Sequence, residues 1–490
     1  MRATLPAVPV TLAIDAGTTG VRTLAVDPAG AVVGSAYREL AQRYPQPGWV
    51  EHDPQEIWAA VEATLAEVRA SLDGPVAAIG ITNQRETVVA WDRRTGEPLH
   101  NAIVWQDRRT ADRCLRLEDE GHLPLVREAT GLVLDPYFSA TKMAWLLSEG
   151  GVHAGPRLAL GTVDSWILWK LTGGAVFATD PSNASRTLLY DIRHGTWSTE
   201  LCDLFRVPKF ALAEVRRTSG RFGTTADGVP ISAIAGDQQA ALFGQACLHP
   251  GMAKNTYGTG SFVLMNAGER CPPPADGLLT TIAWSLPGAA PVYALEGAIF
   301  ATGSAITWLR DGLGIIASAA EIGPLAGSVR DAQGVAFVPA FSGLGSPWWD
   351  PHARGTIVGL TRGSGRAQLA RAVVEAMAYQ TRDVVDAMNA AVGHPLTELR
   401  VDGGASVLDL LLQIQADQLR APVARPTVRE TTGLGAAYLA GLAEGVWSST
   451  EEVAGLWREE ARFSPRAPQS VVDSRHATWR RAVDRSRQWA

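Results

Sequence analysis

The sequence predicts an α/β protein of two similar halves, and three observations lead to that class. Strand-like apolar runs alternate with helix-like amphipathic stretches along nearly the whole chain. At 490 residues the chain is too long for one hydrophobic core, so two large domains are the natural division. A weak internal repeat suggests duplication. VTLAIDAGTTGVRTLAVDPAG, from residue 10, and AKNTYGTGSFVLMNAGE, from residue 253, both read as strand, Gly/Thr-rich turn and strand.

The elements follow in chain order. After the first hairpin, Asp53 can cap a helix, Pro54 suits its first position, and Glu56 completes a capping box. Ile57, Val61, Leu65, Val68 and Leu72 recur at helical spacing and put one face on a sheet. PVAAIGI, residues 75–81, reads as a strand buried on both faces. The short apolar run before Asp237 is another strand, with a helix starting at that aspartate. The division between halves falls near 245–252, giving domains 1–248 and 249–490. CPPPADG, 271–277, is a loop, and a long helix covers 366–391. LRVDGGASVLDLLLQIQAD, from residue 399, reads as strand, glycine turn and helix. The Arg-rich end RHATWRRAVDRSRQWA reads as an exposed final helix.

Composition excludes several classes. A net charge of −6 gives no basic footprint for nucleic acid. The four cysteines form no CxxC, which argues against a zinc site or disulfide framework and for a reducing cytoplasm. The N-terminus lacks the apolar core of a signal peptide, and no run is long enough to span a membrane. A Walker A loop needs Gly-Lys-Ser/Thr, and none of Lys142, Lys170, Lys209 and Lys254 sits in that context. No clean GxGxxG opens a helix, and GxSxG and HExxH are absent.

Some polar residues sit where a folded chain would not place them idly. Asp15, Gly17, Thr18, Thr19 and Arg22 on the first glycine turn read either as a tight hairpin or as a phosphate cradle. In the cradle, backbone N–H groups converge, Arg22 supplies charge and Asp15 holds magnesium through water. Asp237 reads either as a helix cap or as a general base for phosphoryl transfer. Directly after a core strand come Thr82, Asn83, Gln84, Arg85, Glu86 and Thr87, all able to hydrogen-bond. Arg85–Glu86 is either a surface pair at a strand end or a donor fork beside an acceptor, suited to hydroxyls.

NQRET at 83, AIVWQD at 102, DPYFSATK at 135, GTVDSW at 161, NASRT at 183, AGDQQAALFGQ at 235, GMAKNTYGTG at 251 and RVDGGA at 400 together resemble the FGGY carbohydrate kinases. YFSATKMAWLLSE and GTIVGLTRGSGRAQLARAVVE look like the two family signatures, with Ser148 departing from the usual polar types. NQRET and AGDQQAALFGQ resemble the members that act on glycerol. The resemblance runs almost end to end. It implies two duplicated actin-like ATPase (ribonuclease H-like) domains flanking a central cleft. It also implies transfer of the ATP γ-phosphate to glycerol, giving sn-glycerol 3-phosphate and ADP in glycerol catabolism.

The resemblance implies residue roles as well. Arg85 and Glu86 would grip the hydroxyls with Trp105, Tyr137, Gln238 and Phe262, and Asp237 would be the base. Thr18, Thr19, Gly20, Arg22 and Thr259 would contact ATP phosphates, Gly303 and Gly404 would lie near the nucleoside, and Asp15 would serve Mg2+. Thr307 and Leu408 replace an amide and an asparagine of the family pattern near the nucleoside, so altered base contacts are expected. Residues 221–231 lack the glycine- and arginine-containing loop that binds fructose 1,6-bisphosphate in some relatives, and they lack a phosphorylatable histidine. By analogy the chain would be a cytoplasmic homodimer or homotetramer. The competing readings are a kinase of a pentulose or another polyol, an actin-like ATPase switch, and an inactive relative.

Overall fold

The structure, a computed structural model, describes residues 9–490; the expectation for residues 1–8 lies outside the described residues. In the first sheet, β1 (Val10–Ala16) runs antiparallel to β2 (Gly20–Val26), and β2 to β3 (Val32–Glu39). On its other side β1 pairs in parallel with β4 (Val76–Asn83). An edge strand β5 (Ser219–Thr224) runs antiparallel to β6 (Pro230–Gly236), and β6 runs parallel to β4.

The second sheet repeats this plan. β7 (Met252–Tyr257) is antiparallel to β8 (Ser261–Gly268), and an added strand β9 (Leu279–Trp284) pairs with β10 (Val292–Ile299), which pairs with β8. On the other side of β7 lie the parallel strands β11 (Glu398–Gly403) and β12 (Val423–Pro426), then the antiparallel edge strand β13 (Glu459–Phe463). The duplication suggested by the two glycine hairpins is therefore present in the strand order of both lobes.

Helix α1 (Pro54–Ala70) starts where its cap predicts: Asp53 accepts the N–H of Gln55 at 2.8 Å. Ile57, Val61, Leu65 and Val68 are buried, while Leu72 lies beyond the helix end. The capping box does not form. Glu56 instead takes the Arg43 guanidinium at 2.6 Å, because a cation within reach outcompetes a neutral backbone N–H. Helix α2 (Ser139–Ser148) packs on a separate four-stranded sheet built from Glu51–His52, Val88–Asp92, Ala102–Ile103 and Leu158–Thr162.

Helix α3 (Asp237–Gly244) follows β6. The long helix α4 (Arg366–Val392) and α5 (Asp409–Leu419) flank the second sheet, and α6 (Thr431–Ala443) follows β12. α3 and α6 cross between the lobes: α6 lies on β1, β4 and β6, and α3 touches β8. Their crossing is so close that a Cβ on Gly435 would collide with the Ala240 carbonyl. Only glycine permits that approach.

The final helix, α7 (Gln469–Ser486), is not simply exposed. Val472, Trp479, Ala482 and Val483 are buried, and the Trp479 indole N–H donates to Asp383 of α4 at 2.8 Å. An apolar stripe at helical spacing runs beneath the arginines, and the charged composition hid it. No helix among the described residues is long and apolar enough to cross a membrane.

Candidate active site

Strand β4 runs two residues further than the sequence suggests, taking in Thr82 and Asn83, and the polar run from Thr82 to Thr87 is buried throughout. Burial of such groups demands partners. Asn83 donates to Asn183 Oδ1 at 2.9 Å, and Gln84 donates to the Gly17 carbonyl at 3.2 Å. Thr87 donates to Gln84 Oε1 at 2.8 Å. The run thus ties the strand end to the first glycine turn. Glu86 sits at φ 63°, a left-handed conformation uncommon for a residue with a side chain, and Ser139 of α2 anchors its carbonyl at 3.0 Å.

Arg85 is almost wholly enclosed. Nη1 donates to Glu296 Oε2 at 2.5 Å and to Gln239 Oε1 at 3.3 Å; Nη2 donates to Glu296 Oε1 and to the Tyr137 hydroxyl, both at 3.2 Å. Its Nε lies 3.2 Å from Asp237 Oδ1. Glu86 Oε1 accepts from Arg186 Nε at 2.6 Å, and Arg186 Nη2 donates to Glu296 Oε1 at 2.9 Å. Arg85 and Glu86 are therefore no surface pair. Burial pushes the Glu86 carboxyl up, against the pull of Arg85 and Arg186. Burial would also raise Glu296, yet the Arg186 and Arg85 guanidiniums bring it down to about 2.

Asp237 opens α3 and stands directly after the β6 terminus. Its Oδ1 accepts the Gln238 N–H at 2.7 Å and faces Arg85 Nε. Its side chain is 28% exposed against 2% for Arg85 and for Glu86, so of these three charged groups Asp237 reaches furthest into the cleft. Lys254 of β7 donates to Gln238 Oε1 and, at 3.0 Å, to Thr256 Oγ1. An aromatic wall stands beside these groups. The Trp105 ring lies 5.4 Å from that of Tyr137 and 6.4 Å from that of Phe262 on β8. Trp105 Nε1–H also donates to Thr18 Oγ1 at 2.9 Å, joining the wall to the first glycine turn. Lys142 of α2 donates to the carbonyls of Pro136, Tyr137 and Phe138 at 2.7–2.8 Å and fixes the Tyr137 loop.

On the first hairpin, Gly20 admits no Cβ, because Tyr37 and the Arg38 carbonyl fill that space. Thr19 is exposed, and Arg22 pairs with Glu430 at 3.3 Å. Asp15 is the one partly exposed residue of β1, between the buried Ile14 and Ala16. Burial and the nearby Asp237 carboxylate push its carboxyl up to about 7, with Arg22 opposing. No group of three or more metal-ligating side chains exists among the described residues. Two mutually repelling carboxylates still fit magnesium, which keeps several waters and takes one or two protein carboxylates with substrate phosphates.

In the second lobe the Gly303 N–H donates to the Gly258 carbonyl at 3.0 Å, beside the exposed Thr259. Gly404 is exposed just after β11, next to Tyr257. Thr307 is exposed at the end of a short helix, and Leu408 packs against Gly323. The structure therefore brings Arg85, Glu86, Trp105, Tyr137, Asp237, Gln238 and Phe262 together, links Thr18 to them, and groups Thr259 with Gly303. Thr307 ends the short helix that Gly303 opens, one turn from it, whereas Leu408 is linked to neither group. Sequence reasoning missed Arg186, Gln239, Lys254 and Glu296. Glu296 had a signal: a lone carboxylate inside the apolar strand VYALEGAI must find a cation.

Models of the FGGY family of carbohydrate kinases match the chain, the N-terminal domain over residues 10–244 and the C-terminal domain over 253–444. A protein named glycerol kinase from Trichlorobacter lovleyi is 55% identical, covering 98% of this chain and 99% of its own. Another from Dechloromonas aromatica is 53% identical over 98% of both chains. The crystal structure of Plasmodium falciparum glycerol kinase with ADP superposes with a TM-score of 0.94 at 34% identity, covering 99% of each chain. A ligand-bound xylulose kinase from Lactobacillus acidophilus, at 20% identity, shares the fold with a TM-score of 0.87.

Proposed function

Because this chain belongs to the FGGY family of carbohydrate kinases, we propose that it transfers the γ-phosphoryl group of ATP to glycerol, giving sn-glycerol 3-phosphate and ADP. The observation that most supports this reading is the pairing of Arg85 with Asp237. One carboxylate oxygen is held by Arg85 and a backbone N–H, and the side chain still reaches the cleft beside an aromatic wall. Relatives named glycerol kinase that match nearly the full chain support the choice of substrate.

The chemistry follows from what each group has left to offer. Glu86 has one oxygen on Arg186 and another to accept a substrate hydroxyl. Gln238 has its carbonyl on Lys254, which turns its NH2 into the donor. Trp105, Tyr137 and Phe262 cover the C–H edges. Asp237 takes the proton from the terminal hydroxyl as that oxygen attacks the γ-phosphorus. Thr18, Thr19, Gly20, Arg22 and Thr259 hold the phosphates. Asp15 would hold magnesium, which when bound neutralises charge on the phosphate oxygens. Closing the cleft excludes water, the competing acceptor. The reading places the enzyme in the cytoplasm, as a homodimer or homotetramer.

The test is ADP release by purified protein with Mg·ATP, with and without glycerol, beside other polyols and ketoses. Glycerol is expected to give the strongest stimulation. A preference for another polyol would reassign what Glu86 holds, and steady hydrolysis without any polyol would refute a kinase.

A pH dependence follows from Lys254. Burial brings its ammonium from 10.5 down to about 8, although Asp402 and Asp237 pull upward; Arg85 and Glu296 also face it and act in opposite directions. Above about 8 the positive charge behind Gln238 is lost. The kcat/KM for glycerol is therefore expected to fall through pH 8 with a one-proton limb, measured from pH 6.5 to 9.5. Lys254→Met should start lower and lack that limb. Between 8 and 10.5 the unfolded chain binds more protons at this lysine than the fold does, so the group itself stabilises the fold as pH rises. A fall in rate from this titration would therefore not come from Lys254 unfolding the protein, and a thermal melt at pH 9 checks that the fold is intact.

A further inference from the structure

Glu296 lies on β10 in the second lobe, fully buried, in a strand whose neighbouring residues are apolar. Both of its ion-pair partners come from the first lobe. It takes the fork of Arg85 through both oxygens and Nη2 of Arg186 through Oε1. Arg186 continues to Glu86, and Arg85 continues to Asp237. Charges alternate along this path from Glu86 through Arg186, Glu296 and Arg85 to Asp237. It is anchored at both ends in the first lobe and held in the middle by one residue of the second.

Stability is a weak reason for such an arrangement. A buried ion pair is often no more stable than apolar residues of the same volume, because both charges must be stripped of water. What the arrangement does supply is geometry. Glu296 fixes the plane of the Arg85 fork and leaves Nε directed at Asp237. Through Arg186 it also sets the side of Glu86 that remains free. Moving the lobes apart would withdraw this carboxylate, open the pair to water and leave Glu86 as the one carboxylate between the two guanidiniums.

We infer that Glu296 is a positioning residue of the polyol site, holding Arg85 and, through Arg186, Glu86 in register only while the second lobe is docked. This deepens the glycerol-kinase reading and rests on it. Glu296 does not touch the substrate, and its effect should appear on the polyol side of the reaction and not on the nucleotide side.

The test compares Glu296→Asp, which keeps the charge but shortens its reach, with Glu296→Gln, which keeps the shape but loses the charge. The KM for glycerol is expected to rise about 10–100-fold in Glu296→Gln and by a smaller factor in Glu296→Asp, as expected for a site misplaced by about 1 Å. The KM for ATP should stay within about threefold, because the phosphate side is untouched. If Glu296→Gln does not fold, Glu296→Asp decides alone. A glycerol KM unchanged in the folded variants overturns the role. So does a parallel rise of both KM values with a lowered Tm, which marks a merely structural residue. The parent enzyme separates this from the underlying reading. If another polyol stimulates it, the same split is read with that polyol; if none does, both readings fall.

Discussion

Asp237→Asn is expected to lower kcat about 10²–10⁴-fold, the range for removing a positioned general base, while the KM values for glycerol and ATP change little. Asparagine keeps the size and the oxygen that accepts the Gln238 N–H at 2.7 Å, so the start of α3 should survive. What is lost is the ability to take a proton. The same side chain sits against Arg85 Nε, and its negative charge is matched there. The amide oxygen would face both that guanidinium and the Gln238 N–H, which leaves the NH2 toward the cleft, and an amide NH2 is no base. Steady-state kinetics and a thermal melt of the purified variant check both halves of the expectation. A rate near that of the parent would remove Asp237 from the chemistry and leave it a helix-start residue.

Local signals made much of this legible. The glycine hairpins at 17–20 and 258–260 are legible in the sequence, and in each the second glycine, Gly20 or Gly260, leaves no room for a Cβ; the duplicated strand order is built around these two hairpins. The start of α1 is legible from Asp53 and Pro54, since a cap and a proline act on their immediate neighbours. Glu56 misled for the opposite reason: its partner, Arg43, comes from before the helix and not from the cap itself. The final helix misled because its arginines dominate the composition, while Val472, Trp479 and Val483 set its face. In the site, the residues found were those grouped in short motifs. Arg186, Gln239 and Lys254 lie inside the quoted motifs NASRT, AGDQQAALFGQ and GMAKNTYGTG, yet their partners, like those of Glu296, are up to 211 residues away or across lobes, and no local pattern announces such pairs. The isolated glutamate of β10 shows how the search could be widened. A charge in an apolar strand states that a cation exists, though not where.

Arg85→Lys tests how much of the site depends on that distributed network. Lysine keeps the charge but replaces a planar fork of five donors by one ammonium with three. Arg85 now makes two bonds to Glu296, one to Tyr137 and one to Gln239, and stands against Asp237. No ammonium can meet partners spread around a plane in this way. The expected result is a fall in kcat/KM for glycerol of about 10²–10³-fold, with the protein still folded, because the positive charge between Glu296 and Asp237 remains. Arg85→Met removes that charge and leaves Glu296 with Arg186 alone, so it should destabilise the fold by about 3–5 kcal/mol, the usual cost of breaking a buried pair from one side. The two variants separate geometry from charge. Parent-like kinetics in the folded Arg85→Lys enzyme would show that a point charge suffices, and would remove the fork, and with it the Glu296 carboxylate that fixes its plane, from the account of how glycerol is held.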